Sequence, residues 1–147
     1  VDGIQLKKEL LNEGGPFGET LNRWVRNDPS LHTDCIRAAL RIEGYGPEVK
    51  NNWDIYALLR RQYRPVEMIL FPQGEHALSR PSDRMISLQG NVDWYRFWLN
   101  NEQRVEPVLP NETASTLKDQ YTRWGQMQEL KRIADSKPAC ARIDRGK

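Results

Sequence analysis

A chain of 147 residues is about one domain's worth of protein, long enough to bury most of its apolar surface on folding. Its 38% hydrophobic and 29% charged residues read as soluble and globular, which excludes a disordered tail, a collagen-like repeat and a membrane chain. The net charge of +2 is scattered along the chain and makes no case for a nucleic-acid surface, and no apolar run approaches the ~20 residues that span a bilayer.

In chain order, residues 1–11 alternate charge and apolarity and do not resemble a signal peptide. Across 17–27 the residues Phe17, Leu21, Trp24 and Val25 recur at helical spacing until Asp28-Pro29 ends the run. Residues 38–43 form a short, partly β-branched stretch stopped by Gly44-Tyr45-Gly46-Pro47, which reads as a strand entering a loop. A helical pattern over 49–63 places Val49, Trp53, Tyr56 and Leu59 on one face and ends at Arg64-Pro65, because a residue before proline is pushed out of the α region. The run 66–71, Val-Glu-Met-Ile-Leu-Phe, is a second strand bounded by proline. Ser82 is placed to cap a long helix whose core stripe is expected to be Met85, Leu88, Val92, Tyr95 and Leu99. A linker with Pro107 and Pro110 leads to a last helix over 112–134 carrying Leu117, Tyr121, Trp124, Met127 and Leu130, and the polar end 136–147 is expected to fray.

Strand, helix, strand is the signature of a parallel crossover unit. Two strands alone make a poor sheet, since parallel strands need both faces covered and further neighbours. The fold class expected is therefore α/β: the end of a larger domain over 1–104, whose missing strands come from upstream residues or another chain, with a linker and helical tail over 105–147 packing on it. Cys35 and Cys140 stand far apart and outside any C-x-x-C pair. Two unbridged thiols are expected, with a disulfide tying the tail to the body as the alternative. With only two histidines a zinc site has too few ligands, and no cofactor is expected.

In open α/β sheets reactive groups collect in loops beyond the carboxyl ends of the strands. Two loops qualify: Gly44-Tyr45-Gly46-Pro47-Glu48 and Gln73-Gly74-Glu75-His76-Ala77. If the strands are parallel neighbours, a carboxylate from the first loop can meet the imidazole of the second, fixing its tautomer and freeing the other ring nitrogen as a general base.

The stretch Pro65-Val66-Glu67-Met68-Ile69-Leu70-Phe71-Pro72, then Gly74-x-His76, Arg80-Pro81, Arg84 and the helix with Asp93-Trp94-Tyr95 and Phe97-Trp98-Leu99, resembles the end of the prolyl oligopeptidase family's catalytic domain. Within that family, residues 39–47 and the long tail look most like the lasso-peptide isopeptidases. The resemblance implies an α/β-hydrolase domain, a serine nucleophile, and a peptide or isopeptide substrate. It places the general base on His76. The family's usual acidic Asp is absent, which leaves Glu48 in the acid role and Asp54 and Glu43 as lesser candidates. In this fold the nucleophile precedes acid and histidine, and no serine here sits in a G-x-S-x-G context, so the serine is expected upstream of Val1. The chain alone is then expected to be inactive. The alternatives are a dipeptidyl or acylaminoacyl peptidase fragment and a non-catalytic interaction module. The partners implied are a peptide substrate and the missing N-terminal part or a companion chain, with neither nucleic acid nor membrane. The compartment stays open, with the cytoplasm preferred. Phe17, Trp24 and Tyr45 are read as packing residues before cleft residues, and His32 lies outside the motif.

Overall fold

The computed structural model describes residues 3–136, without the side chains of residues 3–5, 47 and 48. Two strands, β1 (Leu40–Tyr45) and β2 (Val66–Phe71), pair in parallel with Leu40 opposite Val66 and Tyr45 opposite Phe71. The connection between them is a 3-10 turn, Gly46–Asn52, followed by α3 (Trp53–Arg61). The expected crossover is present, with its first part wound as a 3-10 helix and its α-helix starting only at Trp53.

Side chains alternate across a strand, so register partners share a face. Arg41, Glu43 and Tyr45 with Glu67 and Ile69 look towards α4 (Pro81–Asn100), which lies over β1 and is succeeded by α5 (Ala114–Asp135). Ser87 of α4 donates to Glu43, Asn91 accepts from Arg41, and the Trp94 indole reaches the Ala39 carbonyl at 3.5 Å. α5 instead meets β2, where Trp124 Nε1 donates to Glu67 Oε1 at 3.0 Å. Leu117, Tyr121 and Trp124 of α5 close on Trp94 and Phe97, with edge-on ring pairs Trp94–Trp124 at 5.1 Å and Tyr121–Trp124 at 5.2 Å. Such edge-to-face pairs add to the burial of the rings themselves. Leu117, Tyr121 and Trp124 of the expected stripe are buried in this cluster, whereas Leu130 is 39% exposed.

Three sequence expectations are corrected. The stripe Met85, Leu88, Val92, Tyr95 and Leu99 does not face the core: these residues are 42–76% exposed, while Ser87, Gly90, Asp93, Trp94 and Phe97 are buried. The helix is apolar on more than one side, and the aromatic row, which buries more area per residue, takes the core. Secondly, the helix begins at Pro81 with Arg80, not Ser82, at the cap position. Thirdly, Cys35 is disulfide-bonded, which removes the reading of two unbridged thiols. The other cysteine of the sequence, Cys140, and the expected frayed end from 137 onward lie outside the described residues.

Residues 3–37 build a smaller layer. α1 (Gly3–Asn12) and α2 (Leu21–Asn27) are joined by a bond from Asn27 Nδ2 to the buried Asn12 Oδ1 at 2.9 Å. Trp24 packs inside, its indole donating to the Gly14 carbonyl. A 3-10 segment, Pro29–Cys35, is initiated by Asp28, whose carboxylate accepts from Ser30, and is tied to the end of α3 by Gln62 Nε2 and Thr33 Oγ1 at 2.6 Å.

Candidate active site

Because β1 and β2 are parallel and in register, both strand-end loops emerge on one rim. Gly46 holds φ +45°, a left-handed conformation that glycine adopts without cost, and a Cβ there would lie 3.4 Å from the Gly74 carbonyl oxygen. The two loops therefore abut. Tyr45, closing β1, stacks on Phe71, closing β2, with ring centroids 5.9 Å apart and planes within 12°. The same ring offers an edge to the His76 imidazole at 5.9 Å and 68°. His76 is exposed on this rim. The two loops singled out in the sequence are thus brought together.

The acid candidates separate. Glu48 has its backbone in the turn Gly46–Asn52, immediately beyond β1 and beside the His76 loop; its side chain lies outside the described ones. Asp54 sits in the first turn of α3 and lines a cavity of about 400 Å³ with Trp24, Asp28 and Ser30, among the elements of the smaller layer. Glu43 faces α4 and accepts from Tyr45 Oη at 2.7 Å, Arg41 Nη1 at 2.7 Å and Ser87 Oγ at 2.9 Å. Burial pushes its carboxyl up, but the hydrogen bonds from Tyr45 and Ser87, with the Arg41 guanidinium, outweigh that and hold it below its ordinary value. A carboxylate so fully engaged is kept ionised in the interior between sheet and helix.

Arg41, whose side chain is 5% exposed, also lies 3.3 Å from Glu67, so the interior under α4 carries one guanidinium between two carboxylates. α4 passes close above it: a Cβ on Gly90 would fall 2.3 Å from Arg41 Nη2. The residue that sequence reasoning undervalued is Tyr45. Its hydroxyl is anchored on Glu43 while its ring borders His76, joining the buried network to the rim. The alternation of Glu43 and Tyr45 along one strand face was the available signal. Phe17, by contrast, is 73% exposed and away from this rim's contacts.

No family model matches the chain. The lasso peptide isopeptidase AtxE2 of Asticcacaulis excentricus is 25% identical over 124 residues, which take in 84% of this chain and 16% of that protein. The chain is similar to an isopeptidase. Among solved structures, the apo AtxE2 isopeptidase matches 87% of the chain and 18% of its own length with a TM-score of 0.68 at 21% identity. A variant of the same isopeptidase with Astexin3-dC4 bound matches 77% of the chain and 16% of its own length with a TM-score of 0.64 at 23% identity. The chain thus has the fold of one part of that protein, a partial α/β arrangement, and spans about one sixth of its length.

Proposed function

We propose that this chain is the C-terminal part of a serine hydrolase of the prolyl oligopeptidase family that cleaves peptide or isopeptide bonds, with His76 as general base and Glu48 as the acid that orients it. The observation that carries the reading is the meeting of the two strand-end loops, with the His76 ring set against Tyr45 at the end of β1, in a chain 25% identical to an isopeptidase. The serine comes from the preceding part of the domain. Its hydroxyl attacks the scissile carbonyl while His76 takes the proton and passes it to the leaving amine; water then enters by the same route to release the acyl group. Glu48 fixes the tautomer and stabilises the imidazolium. Tyr45 limits how far the ring can swing.

A fluorophosphonate reacts only with an activated serine. The complete protein should become covalently labelled at one serine, and His76→Ala should abolish the labelling, while the 147-residue chain alone should stay unlabelled. A complete protein that takes up no label would overturn the hydrolase reading.

A further inference from the structure

Glu43 occupies a place between sheet and helix where an apolar side chain would serve stability as well, because an ion pair taken out of water gains little over apolar residues of the same volume. Its carboxylate accepts from Arg41 Nη1 at 2.7 Å, Tyr45 Oη at 2.7 Å, Ser87 Oγ at 2.9 Å and Asn91 Nδ2 at 3.3 Å. α4 is shaped around this cluster. Gly90 stands inside that helix, where glycine is weakening, and a Cβ there would run into the Arg41 guanidinium. A polar network with its members satisfied holds them in one arrangement.

The member held at the rim is Tyr45. Its backbone ends β1 opposite Phe71, its ring stacks on the Phe71 ring, and its hydroxyl is tied to Glu43. A ring fixed at backbone, face and hydroxyl neither tilts nor slides. Its edge meets the His76 imidazole at 5.9 Å and 68°, a contact that favours one mutual orientation of the two rings. His76 belongs to residues 72–80, which follow β2 without helix or strand of their own. The place of the wall beside the imidazole is therefore decided at Glu43, in the interior.

We propose that Glu43 is a positioning residue for His76: through the Tyr45 hydroxyl it holds the aromatic wall against which the imidazole takes its orientation. Ser87 and Asn91 of α4 and Arg41 of β1 hold Glu43 in turn. This role differs from that of the acid, since Glu43 acts on the ring through Tyr45 and not by accepting from it. The proposal rests on the reading of His76 as general base of the complete hydrolase. A base turned away from its proton donor slows the chemical step and leaves substrate binding as it was.

Tyr45→Phe and Glu43→Ala in the complete protein, singly and together, test this by kcat, KM and the rate of fluorophosphonate labelling. Tyr45→Phe keeps the ring and its stack and leaves Glu43 its bonds from Arg41, Ser87 and Asn91, so its melting midpoint should stay near that of wild type. Each single substitution should lower kcat and the labelling rate about 10-fold with KM unchanged. The double variant should be no slower than Glu43→Ala alone, because both changes remove the same anchor. A Tyr45→Phe protein as fast as wild type would overturn the proposal, and so would two losses that multiply in the double variant. If Glu43→Ala does not fold, Tyr45→Phe decides alone. Either contrary result leaves the hydrolase standing, since the wild type still takes up label. A wild type without label removes the hydrolase reading, and this proposal with it.

Discussion

Arg104 holds the linker between α4 and α5 in place. Its guanidinium pairs with Asp93 of α4 at 2.9 Å and with Glu112, just before α5, at 2.8 Å, while its backbone N–H donates to Tyr121 Oη at 2.9 Å. Asp93 is 1% exposed, so removing the cation strands a buried charge. Arg104→Ala should destabilise the chain by about 3–5 kcal/mol, the range for breaking a buried pair from one side, as read from urea midpoints. The Arg104 hydrogen bond, chiefly, holds the Glu112 carboxyl below its ordinary value. A depressed carboxylate contributes stability that is full above the ordinary carboxylate range and is lost as pH falls through its folded value. The gap between wild type and Arg104→Ala should thus narrow as pH drops from 7 towards 3. A gap of constant size would contradict the pairing. At the same scale, Cys35 should resist alkylation until the protein is reduced, since it is disulfide-bonded; intact mass after iodoacetamide checks this, and a labelled Cys35 without reductant would refute the bridge.

α4 and α5 depend on one another. Thr113 caps α5 in a reciprocal box with Thr116, and Asn101, in the left-handed conformation at φ 58°, ends α4. Between them lie the aromatic rings of the core, with Trp124 1% exposed. Trp124→Ala should cost about 3–5 kcal/mol, as large core truncations do, and ending the chain after Asn101 should cost more, because it uncovers Trp94 and Phe97 together. An unchanged melting midpoint would contradict this packing. β2 was legible in the sequence because a short apolar run lies between prolines, and α5 because one row, Leu117, Tyr121 and Trp124, is more apolar than any other on it. α4 was legible as a helix but not in its orientation: two rows satisfy helical periodicity, and the choice is made by α5 and by Arg41, more than twenty and about fifty residues away. α1 was not legible, since its helical face is set by the bond between Asn12 and Asn27 and not by an apolar pattern.

At the scale of the molecule, parallel strands with helices on their flanks set the two strand-end loops side by side. The meeting of those loops could be expected from strand order alone, since parallel neighbours deliver their carboxyl ends to one rim. The engagement of Glu43 could not, because Ser87 and Asn91 reach it from a helix that follows by more than forty residues. A two-stranded sheet with an open edge and an exposed helical row should also associate when isolated. Light scattering over a concentration series should show mass rising with concentration; a monomer throughout would argue that neither surface lacks a partner. The most direct test of the central claim is turnover of a peptide or isopeptide substrate by the complete protein carrying His76→Ala, with circular dichroism confirming an intact fold. Removal of the base should lower kcat by several orders of magnitude, with Glu48→Gln lowering it heavily but less, because an amide holds the ring without stabilising its charge. Full activity in His76→Ala would contradict the account.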